Sequence, residues 1–195
     1  MTGSNGFIAK NLIQFLSEQD NINILCFNRS SSENDLKYAV IKADWIIHLA
    51  GVNRPLSEQE FVEGNITLTQ KIADLLIEYN KKTPIILSSS IQAEQDNAYG
   101  QSKLGGEQVL IDLNNNQGNP VYICRLANVF GKWSRPNYNS AVATFCHNIA
   151  NDLPIQINNP DAVIRLVYIY DVVETFWQMI KGHYSPEQYF AIEPE

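Results

Sequence analysis

Tyr99-Gly100-Gln101-Ser102-Lys103 places a phenol and an ammonium four residues apart, and Ser88-Ser89-Ser90 ends the apolar run that precedes them. On a helix, positions i and i+4 share a face, so the Lys103 ammonium can approach the Tyr99 oxygen. A free phenol titrates near pH 10. Bringing it to about 7 takes roughly 4 kcal/mol of preferential stabilisation of the phenolate, for which a nearby cation is the direct means. A phenol tuned in this way exchanges a proton with a substrate alcohol or carbonyl while a serine hydroxyl holds the same oxygen. The competing reading is a surface helix pair worth about 0.3 kcal/mol. The serine-ended strand favours chemistry, with Tyr99 and Lys103 beside a hydroxyl of Ser88-Ser89-Ser90.

A second cluster opens the chain. Thr2-Gly3-Ser4-Asn5-Gly6-Phe7-Ile8-Ala9 leads straight into a helical pattern in which Ile8, Leu12, Phe15 and Leu16 share one face. Glycines at 3 and 6 and the small Ala9 permit a tight turn, close backbone approach to a pyrophosphate and close helix-on-sheet packing. The helix start then presents unpaired N–H groups and a positive dipole end to phosphates, which makes Gly3, Asn5, Gly6, Phe7 and Ile8 cofactor-contact candidates. After the next apolar run, Asn28-Arg29-Ser30 stands where an NAD-preferring site places an acidic residue for the ribose 2′-hydroxyl. Arg29 suits a 2′-phosphate instead, pointing to NADP(H); its other reading is a solvated surface charge.

These residues need a scaffold. Short apolar runs at 22–27, 45–50, 85–87 and 121–126 read as strands buried on both faces. Helical patterns lie between and after them at about 67–78, 98–113, 141–151 and 171–181. The alternation predicts an α/β fold, a Rossmann-like doubly wound parallel sheet. Residues 1–195 read as one NAD(P)-binding domain, of which about 128–195 forms a small substrate-side lobe. Only Met1 and Thr2 precede the glycine turn, so the first, central strand is expected to be missing or severely shortened, leaving a gap in the sheet.

Composition narrows the classes. With 195 residues, 45% hydrophobic, the chain can bury a core without staples, and 14 basic against 21 acidic side chains leave no broad footprint for nucleic acid. Cys26, Cys124 and Cys146 are scattered and apolar-flanked, which reads as buried thiols in a reducing compartment. No apolar run approaches the roughly 18 residues of a membrane span and no signal segment is visible, so a cytoplasmic protein without membrane partners is expected. His48 sits in an apolar run and reads as a packed core residue, as do Trp45 and Trp177; Trp133, in an irregular loop, could stack on a uracil or cover the lobe.

The glycine turn, His48-Leu49-Ala50-Gly51, Asn65, Ser88-Ser89-Ser90, Tyr99 with Lys103, and Arg125-Leu126-Ala127-Asn128-Val129-Phe130-Gly131 together resemble the extended short-chain dehydrogenase/reductase family, its nucleotide-sugar epimerase/dehydratase group. The resemblance runs over nearly the whole chain in order. It implies that Tyr99 is the proton donor, that Lys103 binds the nicotinamide ribose and tunes Tyr99, and that Ser90 polarises the substrate oxygen, with Ser89 in its place if the register differs by one; Ser90, Tyr99 and Lys103 are the implied catalytic set. Leu49, Ala50, Gly51 and Ser88 would contact the cofactor. The nucleotide-sugar side would draw on Asn53, Arg54, Asn128, Lys132, Asn137 and Asn139. Arg165 would meet a diphosphate, or else pair with Asp161 or Asp171. A homodimer is implied too.

Where dehydratases of the group carry an acidic pair after the serine, Ile91-Gln92 stand here, which argues against a 4,6-dehydratase. The interval from Arg29 to Asp44 is too short for the group's additional strand. Gly51-Val52-Asn53-Arg54-Pro55, the serine segment through Ala93, and Gly131-Lys132-Trp133 are similar to the reductase domain of CapF-type capsular polysaccharide enzymes. That resemblance implies NADPH-dependent reduction of a UDP-4-keto-6-deoxy amino sugar in capsular or surface polysaccharide synthesis. It also implies that the group's zinc-binding cupin domain is absent from this chain, whose His48, His147 and His183 are too scattered for a metal. The alternatives are a nucleotide-sugar epimerase that retains its cofactor, or a catalytically silent dinucleotide-binding scaffold.

Overall fold

Strands β1 (Ile46–His48), β2 (Ile85–Ser90) and β3 (Val121–Leu126) form a parallel sheet in the order β1-β2-β3, with Ile46 opposite Ile85 and Ile86 opposite Tyr122. The computed structural model describes residues 1–55, 57–186 and 189–192. Strand side chains alternate between faces, and the core divides accordingly. Ile47, Ile86, Tyr122 and Cys124 pack against Leu12 and Leu16 of α1 (Phe7–Ser17) and Val172, Phe176 and Met179 of α7 (Ile169–Ile180). Ile46, Ile85, Leu87, Val121 and Ile123 face the other way, onto Leu36 and Val40 of α2 (Glu33–Lys42), Ile72 and Leu76 of α4 (Leu68–Glu78) and Leu110 and Leu113 of α5 (Ala98–Gln117). Helices on both faces of a parallel sheet make this the doubly wound architecture that the alternating pattern predicts.

Local sequence explains most boundaries. Asn97 accepts the Gly100 N–H at 2.8 Å to start α5, and Gly118, at φ +75°, ends it. Helix α2 lies in an interval to which the sequence pattern assigns no element. Its signal is a capping box, Ser32 accepting the Asp35 N–H while Asp35 accepts that of Ser32. A short turn of helix, α3 (Gln59–Phe61), runs through a π-helical segment (Val62–Thr67) into α4. Beyond β3, a parallel pair, β4 (Asn128–Phe130) and β5 (Leu166–Tyr168), and α6 (Ala141–Ala150) build a second, smaller region.

Two expectations need correction. The run 22–27 is not a regular strand: only Phe27 forms a bridge, with Thr2, and the glycine turn follows Thr2 at once. That residue nonetheless occupies the central slot. Thr2 bridges Phe27 on one side and His48 on the other, with Phe27 N donating to Met1 O and Thr2 N to Ile47 O, both at 2.9 Å. The Met1 ammonium closes the row by donating to Leu25 O at 2.7 Å. The thiols differ as well. Cys124 is fully buried, and burial pushes it up to about 12, but Cys26 and Cys146 are exposed. Cys26 lies on the unladdered run, and Cys146 lies on α6, which buries none of its residues.

His48 locks this junction, in keeping with its reading as a core residue. Thr69 Oγ1 donates to Asn65 O at 2.8 Å, so it accepts from His48 Nε2 at 2.9 Å, and Nε2 carries the imidazole proton. Nδ1 then accepts from Thr2 Oγ1 at 2.6 Å, while Thr2 Oγ1 accepts the Ala50 N–H at 3.1 Å. Burial, with the positive charges of Lys103 and the chain N-terminus, holds His48 down at about 3.

A histidine lowered from its ordinary 6.5 binds its proton more readily in the unfolded chain, so the His48 contribution to stability is constant above about pH 6.5 and is lost on acidification towards 3. We expect urea midpoints to drop with a slope approaching ~1.4 kcal/mol per pH unit in that window. A His48→Gln variant, less stable overall, should lack that component. Thr2→Val should cost about 2 kcal/mol by stranding the Ala50 N–H and His48 Nδ1, and Thr2→Ser should recover most of it; equal midpoints for Thr2→Val and the parent would refute the junction's role.

Candidate active site

The turn after Thr2 is built for close approach. Gly3 adopts φ +65°, and a Cβ there would lie 2.7 Å from Ala50 N, so only glycine fits. Gly6 N donates to Gly3 O at 2.8 Å, and α1 begins at Phe7 with no side-chain cap and no acidic residue in its first turn. Its orphan N–H groups and positive dipole end are therefore left for an anion. They face a cleft of about 1290 Å³. That exceeds the roughly 300–1,000 Å³ of a site for one small ligand and suits two ligands side by side.

The opposite lining carries the acid–base candidates. Ser88 and Ser90 end β2, and Tyr99 and Lys103 sit on the first turns of α5 above them. Burial raises the Tyr99 phenol above its ordinary 10, an effect that the neighbouring Ser90 hydroxyl partly offsets. Burial lowers Lys103 to about 8, opposed by the Glu107 carboxylate. Its Nζ donates to Ser88 O at 2.7 Å, which leaves two protons for a ligand hydroxyl. Tyr99 is thus a protonated acid in this state. The downward tuning that the Tyr–Lys spacing suggests is not expressed, because the ammonium is engaged with Ser88 O and burial dominates at the phenol.

Beneath Lys103 lies an ionic cluster of Glu107, Arg125 and Glu94, to which sequence reasoning gave no catalytic role, together with Ser89, the alternative to Ser90, which is spent on Glu107. Glu107, one turn further along α5 and fully buried, accepts from Ser89 Oγ and from Arg125 through Nε at 3.0 Å and a terminal nitrogen at 2.6 Å. Arg125 also reaches Glu94 at 2.8 Å. Asn65, in the π-helical segment, grips the 50s loop: its Oδ1 accepts Val52 N at 2.8 Å, and its Nδ2 reaches Val52 O and Ser102 Oγ, each at 2.9 Å. A π-helical segment at a site-forming residue is a recurrent placement. The Lys103-x-x-x-Glu107 helical spacing was a signal available for Glu107; nothing local marks Arg125 as its partner.

The cleft lining brings together Gly3, Asn5, Gly6, Phe7 and Ile8 with Leu49, Gly51, Asn53 and Arg54, and with Asn128, Asn137 and Asn139. Ala50 is not on that lining; its N–H is spent on Thr2. Arg29, Lys132 and Arg165 also stand off it, each exposed. Lys132 lies over Trp133 at 4.5 Å, and Trp133 itself lines the cleft. Among the described residues Arg165 pairs with neither Asp161 nor Asp171; its carbonyl accepts from Asn128 N and Nδ2, pinning β4 to β5. Also among the described residues, no group of three His, Cys, Asp or Glu side chains could hold a metal, and no helix is long and apolar enough to cross a membrane.

Removing a buried ion's partner typically costs about 3–5 kcal/mol. Glu107→Gln should therefore lower unfolding free energy by about 3 kcal/mol, whereas Glu107→Met with Arg125→Met should recover much of that. Chemical denaturation of both checks this, and a single variant as stable as the parent would refute the cluster's role.

Residues 1–190 match the NAD dependent epimerase/dehydratase family. Over 195 residues the chain is 50% identical to the UDP-2-acetamido-2,6-beta-L-arabino-hexul-4-ose reductase of Pseudomonas aeruginosa, covering all of this chain and 52% of that protein. The crystal structure of the capsular polysaccharide assembling protein CapF from Staphylococcus aureus is similar, with TM-score 0.83 and 46% identity over 93% of this chain and 49% of that one. UDP-glucuronic acid 4-epimerase from Bacillus cereus, solved with NAD, shares the fold at TM-score 0.84 and 19% identity, over 97% of this chain and 76% of that one. The chain thus spans about half the length of its reductase and CapF relatives. A glycine turn under an uncapped helix, a Ser–Tyr–Lys lining and a match over residues 1–190 agree: the chain belongs to the NAD dependent epimerase/dehydratase family, within the extended short-chain dehydrogenase/reductases.

Proposed function

We propose that this chain forms the active site of an NADPH-dependent reductase acting on a UDP-4-keto-6-deoxy amino sugar in capsular or surface polysaccharide synthesis. The observation that carries this reading is the convergence of Ser90, Tyr99 and Lys103 on one cleft with the uncapped start of α1. The named activity of the 50%-identical Pseudomonas aeruginosa protein supports the substrate class. When bound, the nicotinamide supplies the hydride.

This chain's residues do the rest. The α1 turn holds the cofactor diphosphate through backbone N–H groups, and the two free Lys103 protons hold the ribose. Ser90 and Tyr99 converge on the keto oxygen. The phenol, protonated because burial raises it, donates the proton that turns the oxygen into an alcohol. Arg29, exposed beyond Phe27, takes the 2′-phosphate. In this reading residues 1–195 act as one domain with 128–195 as the substrate lobe, in a cytoplasmic homodimer.

Calorimetric titration should give tighter binding of NADPH than NADH; the reverse would overturn the Arg29 assignment. Tyr99→Phe should lower turnover of a UDP-4-keto sugar by about 10²–10⁴-fold while leaving cofactor affinity unchanged. Undiminished turnover would refute the proton-donor role. Interconversion of two sugars without net NADPH consumption would point to an epimerase instead.

A further inference from the structure

Three residues one turn apart on α5 meet three consecutive serines at the end of β2. Tyr99 lies beside the Ser90 hydroxyl, Lys103 Nζ donates to Ser88 O at 2.7 Å, and Glu107 accepts from Ser89 Oγ. The first two steps line the cleft, whereas Glu107 is fully buried and stands off it. We infer that Glu107 is a positioning residue of the acid–base set: its carboxylate, fixed by Ser89 and Arg125 without touching Lys103, keeps that side chain a cation at the cofactor ribose. The inference rests on the reductase reading above and deepens it by giving Ser89, Glu107 and Arg125 a part in cofactor binding.

The geometry shows why the carboxylate does not pair with the ammonium directly. Ser89 and Arg125 stand opposite one another in the β2–β3 ladder, so their side chains share the sheet face that α5 covers. Both aim at Glu107: Arg125 donates through Nε at 3.0 Å and a terminal nitrogen at 2.6 Å, and the serine hydroxyl is a third donor. With its oxygens so occupied, Glu107 forms no ion pair with Lys103 among the described residues. The two remaining Lys103 protons stay free for a ligand, while the negative charge still acts on the ammonium through a poorly polarisable interior. A direct pair would supply the same charge but consume a donor. The Tyr189 ring centroid, 4.0 Å from the Arg125 guanidinium carbon, covers the arginine, and Phe190 O accepts Arg125 N at 3.0 Å to hold that cover in place.

Other charges do not take this part. Tyr99 on the same helix is a neutral phenol, His48 at the end of β1 is a neutral imidazole, and Arg125 on β3 is shared between Glu107 and Glu94. Further charged groups on elements packed against α5 are Glu60 of α3, Glu63 of the π-helical segment, and Lys71, Asp74 and Glu78 of α4. Among the described residues, Glu107 is the carboxylate that acts on the ammonium against the burial that would strip its proton.

NMR of the chain labelled in its lysine side chains follows Lys103 directly, its signal identified by its loss in Lys103→Met. In the parent it should titrate at about 8. In Glu107→Gln the midpoint should fall by about one pH unit, the lower end of what a neighbouring charge does. NADPH affinity, read by calorimetry, should then be about 5-fold weaker than the parent's at pH 8 and within about 2-fold of it at pH 6, as the charged fraction of Lys103 dictates. Glu107→Met with Arg125→Met, expected to recover much of the stability, restores no carboxylate, so both changes should persist in it. A double variant with the parent's titration and pH profile overturns the inference and leaves the reductase reading standing, because the cluster then acts through stability alone. Affinity lost equally at pH 6 and pH 8 overturns it as well, tracing the loss to altered packing. A lowered Lys103 midpoint with NADPH affinity indifferent to pH supports the hold of Glu107 on Lys103 and overturns the ribose role that the reductase reading gives Lys103.

Discussion

A neutral imidazole with no room for a second proton holds the centre of this protein together. His48 donates to Thr69 and accepts from Thr2, and those hydroxyls carry the chain onward to Asn65 O and back to Ala50 N. Thr2 bridges Phe27 on one side and His48 on the other. The side-chain relay runs across that junction. It ties together the glycine turn, the end of β1 and the π-helical segment, and these are the elements that shape the cofactor side of the cleft.

The same economy governs the charged groups. Lys103 must be buried to reach the cleft floor, and burial alone would strip its proton. Glu107 opposes that from one turn along the helix, and its own burial is tolerable because Arg125 and Ser89 occupy its oxygens. Each ion has a partner drawn from a different element, so α5, β2 and β3 are held in one register by charge as well as by packing. Such clusters add little net stability while making any partial disruption costly.

An acidic chain, net −7, nonetheless presents a cleft whose lining carries the start of α1 and the side chains of Lys10, Arg54, Lys103 and Arg135. Local field rather than overall charge selects anionic ligands here. The features divide between two walls: a backbone cradle at the glycine turn, and side-chain guanidiniums on the loops after β1 and β4.

The sequence by itself determined what depends on one or two turns of chain. Glycines at 3 and 6 demanded the turn, the Tyr99–Lys103 spacing put both groups on one helical face, and the runs at 85–87 and 121–126 marked strands covered on both sides. Asn97 and Gly118 bounded α5 in the same local way, and the capping box at Ser32 was legible had the interval not been read only for a strand. Tertiary structure decided the rest. Only the fold shows that Thr2 bridges both Phe27 and His48, that run 22–27 forms no regular strand, that Cys26 and Cys146 face outward, and that Arg125 meets Glu107 while Arg54 meets Tyr138. Those contacts join segments far apart in the chain, and their geometry follows from how helices cross the sheet and which strands are neighbours. Residue spacing specifies a periodicity and therefore a face; it carries no information about which distant face lies opposite.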